Sequence, residues 1–243
     1  MKFDDVKKLY QKKYRDEFGC FLVEGEHLAL ELQKAALQNA RLLECELYVT
    51  SAYQHWQSPF KTHLINDRQM AQIADTKTPQ GIIALVPLHA VANLSAPPVP
   101  GEHIIYLHEI QDPGNLGTIL RTLAWFGNGR CLLSPNCVDP HNAKVVRASM
   151  GAIFHVPIEC DVQLSMLNTR FSRIACLDMQ GESLQSAAFK NFDCYLFGNE
   201  ARGVPREQLT ALDAHPFTIS GGGTIESLNV ASVVNICLYE LNR

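Results

Sequence analysis

Three stretches beyond residue 103 of this 243-residue chain set glycines among polar and ionisable side chains, each just after an apolar run. They are Glu109-Ile-Gln-Asp-Pro-Gly-Asn-Leu-Gly-Thr-Ile-Leu-Arg121, Leu196-Phe-Gly-Asn-Glu-Ala-Arg-Gly-Val204 and Ile219-Ser-Gly-Gly-Gly-Thr-Ile-Glu-Ser-Leu-Asn-Val230. Glycine lets the main chain come close to a ligand, and open α/β sheets bind ligands beyond the carboxyl ends of their strands. A dinucleotide site needs G-x-G-x-x-G between a strand and a helix. Gly114 and Gly117 have the wrong spacing, and after Gly221 and Gly223 the next required position is Glu226. No Gly-Lys-Ser/Thr occurs, so the phosphate loop of nucleotide hydrolases is missing too. Hydride and phosphoryl transfer are disfavoured.

Metal chemistry has equally little support. The eight cysteines form no CxxC pair and share no zinc-type spacing with histidine. Most lie in apolar runs and read as free, buried thiols of a reducing compartment. A different signal sits at the start of the chain. Lys2, Lys7, Lys8, Lys12, Lys13 and Arg15 face only Asp4 and Asp5 within fifteen residues. A local basic strip can bind phosphate on an acidic protein; a solvated helix face explains the same run.

The elements that must carry these segments follow from hydrophobic periodicity. Before residue 94, Cys20–Val23, Leu43–Val49, Thr62–Ile65 and Gly81–Val86 read as strands, and His27–Ala40 and Asp67–Ala74 as helices. This predicts a compact α/β/α domain of about 90 residues. The run Leu94-Ser-Ala-Pro-Pro-Val-Pro-Gly101 is a stiff connector. The domain boundaries are therefore set at 1–94, a linker at 95–102, and 103–243. Beyond the linker, His103–Leu107, Cys131–Leu133, Arg173–Leu177, Cys194–Phe197 and Pro216–Ile219 are strands without alternation, as in a parallel sheet covered on both faces. Val230, Val233, Val234, Cys237, Leu238 and Leu241 form one apolar stripe on a final helix over Ser227–Asn242.

Composition bounds the class. Apolar residues make up 47% and charged residues 19%, which excludes disorder and leaves ample core material. A net charge of −4 argues against non-specific coating of nucleic acid. No apolar run approaches a membrane span, and the charged amino terminus carries no signal-peptide core. The expectation is a soluble, cytoplasmic protein with neither membrane nor metal among its partners.

Taken together and in order, the three segments resemble the motifs of the SpoU (TrmH-like) branch of the SPOUT RNA methyltransferases. They match D-P-x-N-x-G-x-x-x-R, G-N-E-x-x-G and E-S-L-N-V respectively. Phe21-Leu-Val-Glu-Gly-Glu-His27 and Thr76-Lys-Thr-Pro-Gln-Gly81 look like the substrate-binding module of rRNA-directed members, similar to ribosomal protein L30e. One departure is Ser220, where the family usually has proline. The resemblance implies an L30e-like α/β/α domain joined to a parallel-sheet SPOUT domain whose C-terminal part forms a trefoil knot. It also implies a homodimer and the cofactor S-adenosyl-L-methionine. The implied reaction is methylation of a ribose 2′-hydroxyl, with 23S rRNA and guanosine favoured. The alternatives are a tRNA ribose methyltransferase and a non-catalytic RNA-binding protein on the same fold.

The resemblance also assigns roles. Gly198, Ile219 and Leu228 would bind the cofactor, largely through main chain. Arg121 would be the catalytic residue; because arginine stays protonated, its first role is to orient the hydroxyl and stabilise developing charge. Asn115, Glu200, Ser227 and Asn229 are the remaining polar positions, with Glu200 placed to anchor Arg121 or the substrate. Ser227 also has the sequence of a helix N-cap. RNA phosphates would meet Lys7, Lys8, Lys12, Lys13, Arg15, Lys144, Arg147 and Arg202.

Overall fold

The computed structural model describes residues 1–91, 99, 101–225 and 227–243. Most of the proline-rich connector, and Glu226 of the third motif, lie outside the described residues. The chain divides into two compact units. One is built from the described residues up to Val91 together with Asp139–His155. The other comprises the described residues from Val99 to Val138, together with Val156–Arg243.

The first unit opens with two short helices, α1 (Phe3–Val6) and α2 (Lys12–Phe18). They are followed by β1 (Cys20–Glu24), α3 (Glu26–Ala36), β2 (Glu46–Val49), β3 (Lys61–Leu64), α4 (Asp67–Ile73) and β4 (Ile82–Pro87). The strands form a sheet in the order β1-β4-β2-β3, antiparallel except for the β2–β3 pair. Helix α3 buries Leu28, Leu32, Ala35 and Ala36, the stripe expected from periodicity, but ends four residues early. The Asn39 side chain accepts from the Arg41 amide and opens a 3-10 turn over Ala40–Glu44, which delays β2 to Glu46. Helix α4 is fixed by a reciprocal cap between Asn66 and Gln69.

The second unit begins with β5 (His103–Leu107), α5 (Pro113–Phe126) and β6 (Gly129–Leu133). The chain then supplies α6 (Ala143–Ser149) to the first unit. It returns through β7 (Ile158–Glu159), α7 (Leu167–Arg170), β8 (Ile174–Ser183), β9 (Cys194–Phe197), α8 (Arg206–Ala211), β10 (His215–Thr218) and α9 (Val230–Asn242). Six strands make an all-parallel sheet in the order β10-β8-β9-β5-β6-β7. Every residue of β6 and β9 is buried, which is why these runs do not alternate. Tyr106 sits in the middle, opposite Leu132 on one side and Leu196 on the other, and its hydroxyl donates to the Val162 carbonyl at 2.9 Å.

The sheet order creates the site. The chain moves outward from β5 through β6 and β7, crosses to β8, and then inserts β9 between β8 and β5. This reversal leaves the loops after β5 and β9 side by side at the carboxyl edge, the place where such sheets take ligands.

Candidate active site

Helix α5 starts sharply. Asp112 accepts from the Asn115 amide at 2.7 Å, and Pro113 occupies the first turn, where a missing N–H costs nothing. Asn115 is thereby held at the helix mouth, with its side-chain amide facing the next loops. Its Nδ2 donates to Glu200 Oε1 at 2.9 Å, and its Oδ1 accepts from Asn229 Nδ2 at 2.8 Å. Asn229 is in turn the N-cap of α9, its Oδ1 accepting from the amides of Ala231 and Ser232 at 2.9 and 3.4 Å. One hydrogen-bonded line therefore joins all three motifs.

Two expected roles change. Ser227 is exposed and lies ahead of the helix; the cap belongs to Asn229, because α9 begins at Val230 rather than at Ser227. Glu200 makes no hydrogen bond or ion pair with Arg121 among the described residues; its Oε1 accepts from Asn115. Arg121 lies six residues beyond Asn115, about 9 Å further along α5 and turned by about 120°. It is exposed and makes no hydrogen bond or ion pair among the described residues.

The loop after β9 is a tight hairpin. Asn199 and Gly203 exchange two main-chain hydrogen bonds, at 2.8 and 3.2 Å, and Asn199 Oδ1 accepts from the amides of Ala201 and Arg202. A Cβ on Gly198 would lie 2.6 Å from the Gly203 carbonyl carbon. Glycine is thus required by the hairpin itself. After β10, Gly221 and Gly222 face open space, and among the described residues 220–225 and 227–228 have no hydrogen bond through their main chain. Ile219 is half-buried and Leu228 exposed. Free peptide groups beside a half-buried apolar residue form a surface suited to a planar ligand rich in donors and acceptors.

Comparison with known proteins assigns the family. The model of the SpoU rRNA Methylase family matches residues 102–239, more than half of the chain. The chain belongs to the SpoU rRNA methylase family. An MRM3-like substrate binding domain matches residues 2–84. An uncharacterized tRNA/rRNA methyltransferase of Synechocystis is 31% identical, covering 98% of this chain and 89% of its own. The 23S rRNA (guanosine(2553)-2′-O)-methyltransferase RlmP of Bacillus subtilis is 28% identical over 99% of this chain and 95% of its own. The AdoMet-bound rRNA methyltransferase from Sinorhizobium meliloti superposes with a TM-score of 0.80, at 25% identity, over 98% of this chain and 93% of that one.

In this SpoU chain the basic residues have diverse surroundings. Arg15 is not available to RNA. It is 4% exposed, its Nε and Nη2 donate to Asp139, and its Nη1 donates to the carbonyls of Leu9 and Tyr10. Burial of so many donors on one carboxylate makes it an internal tie. Lys7 and Lys8 pair with Asp4 and Asp5 at 2.8 Å, Arg147 with Asp75 at 2.7 Å, and Arg202 with Glu109 at 3.1 Å. Lys12, Lys13 and Lys144 are exposed.

Sequence reasoning passed over two residues of the SpoU site. Asn199 shapes the hairpin, and Glu109 touches it from just beyond β5. His108, beside them, has a buried Nδ1 with no partner among the described residues, and burial lowers its pKa. None of the eight cysteines forms a disulfide among the described residues. Burial pushes the Cys176 thiol up to about 11 and Cys45 up to about 12, which removes them from nucleophilic chemistry at neutral pH. Among the described residues no cluster of His, Cys, Asp and Glu suits a metal ion, and no helix is long and apolar enough to cross a membrane.

Proposed function

We propose that this SpoU methyltransferase methylates a ribose 2′-hydroxyl of large-subunit ribosomal RNA, at guanosine. The observation that carries the reading is the hydrogen-bonded line Glu200–Asn115–Asn229, which gathers one polar side chain from each motif at the carboxyl edge of the sheet. The choice of rRNA and guanosine is supported by the name of RlmP and by the match of the first unit to a substrate-binding domain.

The cofactor is S-adenosyl-L-methionine, and the peptide groups of residues 220–225 and 227–228, unpaired among the described residues, fit its adenine and methionine parts. Gly198, Ile219 and Leu228 would hold it through main chain. When bound it supplies an electrophilic methyl group and leaves as a neutral thioether, so no metal is called for. The attacking oxygen would gain the methyl carbon as the carbon–sulfur bond breaks, and the hydroxyl proton would pass to solvent. Arg121, free of internal partners among the described residues, offers a permanent cation to the oxygen as charge develops there. Asn115 and Asn229, their side chains already oriented by two and three hydrogen bonds respectively, position the ribose or the peptide groups around it. Ser227, exposed ahead of α9, serves the same edge.

The trefoil knot and the homodimer belong to the same reading. Support for a symmetric partner comes from the apolar residues left exposed on the paired helices: Trp125 on α5, and Ile236 and Tyr239 on α9. Lys7, Lys8, Lys12, Lys13, Lys144 and Arg147 supply the phosphate contacts, whereas Arg202 is taken up by Glu109, and the reaction takes place in the cytoplasm.

The test is methyl transfer from labelled S-adenosyl-L-methionine to unmodified 23S rRNA transcript, with the position read by resistance of the linkage to alkali. Label in guanosine of 23S rRNA is expected. Label in tRNA alone would move the substrate to tRNA. Binding of S-adenosylhomocysteine with no transfer to any RNA would leave a non-catalytic RNA-binding protein.

A further inference from the structure

Glu109, two residues beyond the end of β5, takes a conformation that glutamate rarely adopts, with φ at +51° in the left-handed region. Such a backbone costs energy and persists only where its surroundings over-determine it. Here each polar group of the residue is used. The amide donates to Ser134 Oγ at 2.7 Å, and the carbonyl accepts from Asn199 Nδ2 at 2.8 Å. The carboxylate accepts from Arg202 Nη2 at 3.1 Å and from Asn136 Nδ2 at 3.4 Å. Asn136, after β6, is itself left-handed at +67°.

The partners lie on two separate loops. Ser134 and Asn136 follow β6; Asn199 and Arg202 belong to the hairpin after β9. Asn199 is 8% exposed and closes that hairpin from within. The next residue, Glu200, meets Asn115. Glu109 is therefore the point at which the β6 loop and the β9 hairpin are set against the start of α5.

We propose that Glu109 is a positioning residue of the methyl-transfer site, acting through Arg202 and Asn199 to hold Glu200 against Asn115. This inference rests on the assignment of that edge as the reaction site. Its left-handed backbone aims the carbonyl at Asn199 while the amide keeps Ser134, and its carboxylate clamps the far side of the hairpin through Arg202. An exposed ion pair contributes little by itself, and the Arg202 side chain is 68% exposed. The expected effect of losing the clamp is therefore moderate and coupled, about threefold to tenfold.

The decisive variant is Glu109→Gly. Glycine adopts the same backbone without strain, so both main-chain bonds remain and only the carboxylate is lost. Amide exchange at Arg202 and Gly203, measured on the whole chain without RNA, should quicken about threefold to tenfold. Arg202→Met should give the same increase, and the double variant no more than either. Single-turnover methyl transfer on 23S rRNA transcript should fall by a similar factor, while S-adenosylhomocysteine affinity stays within about threefold, the lower end of that range. Glu109→Gln, which keeps an acceptor for Arg202 and Asn136, should recover part of both losses. Unchanged exchange at Arg202 and Gly203, or additive effects in the double variant, would overturn the proposal. So would a lower salt slope of RNA binding in Arg202→Met but not in Glu109→Gly, because Arg202 would then serve RNA phosphate. The exchange measurement decides whether or not 23S rRNA is the substrate; absence of methyl transfer by the unmodified chain would count against the assigned function alone.

Discussion

Arg121 stands apart from the network it is meant to serve, exposed on α5 and unpaired among the described residues, while Asn115, Glu200 and Asn229 bind one another. A guanidinium without an internal partner is free to meet a substrate oxygen. Arg121→Ala should lower single-turnover methyl transfer by about 10²–10³-fold and leave S-adenosylhomocysteine affinity nearly unchanged. Arg121→Lys should restore only part of the rate, since a point ammonium lacks the planar fork. A near-normal rate for Arg121→Ala would reject the assignment. Asn229 does two things through one amide, and substitution can separate them. Asn229→Ser keeps an oxygen for the α9 cap and should hold stability within about 0.5 kcal/mol; losing the bond to Asn115 should still slow methyl transfer. Asn229→Ala should cost about 1 kcal/mol as well. Thermal melts alongside initial rates distinguish the two. Asn115, Arg121, Glu200 and Asn229 were readable as members of motifs at fixed spacing. Glu109 was not, because nothing in a glutamate codon position announces a positive φ; that conformation is imposed by Ser134 and Asn199, far away in sequence.

The ties between elements are strongest where α2 meets the turn before α6. Arg15 and Asp139 are 5% and 13% exposed at their side chains, and Asp139 also accepts from the His141 amide at 2.9 Å. Burial alone would raise the Asp139 carboxyl, but hydrogen bonds from His141 and Arg15 outweigh it and hold the carboxyl well below the usual range. A carboxyl with a depressed folded value stabilises the fold above its unfolded value, near 4, and that stability drains away as pH falls further. The melting temperature should thus decline between pH 4 and 2, and Asp139→Asn should flatten that limb while lowering stability at pH 7. Arg15→Met, which strands a buried carboxylate, should cost about 3–5 kcal/mol at neutral pH. Elements such as β5, β9 and α9 were legible because a buried parallel strand or an amphipathic helix leaves a long, regular apolar pattern. Strand β7 has two residues and α8 buries none of its own, so neither leaves a pattern to read. Caps moved two boundaries: Asn229 rather than Ser227 starts α9, and Asn39 cuts short the run expected to continue α3. Strand β8, expected over Arg173–Leu177, runs on to Ser183, where it pairs with β10.

At the scale of the whole molecule, the two-part α/β organisation and the parallel sheet were legible from alternating patterns and unbroken apolar runs. The partition of the chain was less so, since residues 139–155 follow the connector in sequence yet pack with the first unit. They bring Val145 and Val146 into its core and Asp139 to Arg15. A fragment of residues 1–94 should therefore unfold at a lower temperature and with less cooperativity than the same unit in the whole chain. A synthetic peptide of residues 139–155 should raise its melting temperature in a dose-dependent way; no response to the peptide would mean that the fragment already holds its full core. The same layout has a consequence for the birth of the protein. A ribosome that has finished residue 93 must still add 62 residues, through residue 155, before the first unit has all its parts. At about 5–20 residues per second, that is a wait of roughly 3–12 s. During it the nascent chain carries a first unit whose buried Arg15 lacks its carboxylate partner, while only β5 and β6 of the six-stranded sheet have been made. Synthesis of this enzyme cannot proceed one finished domain at a time.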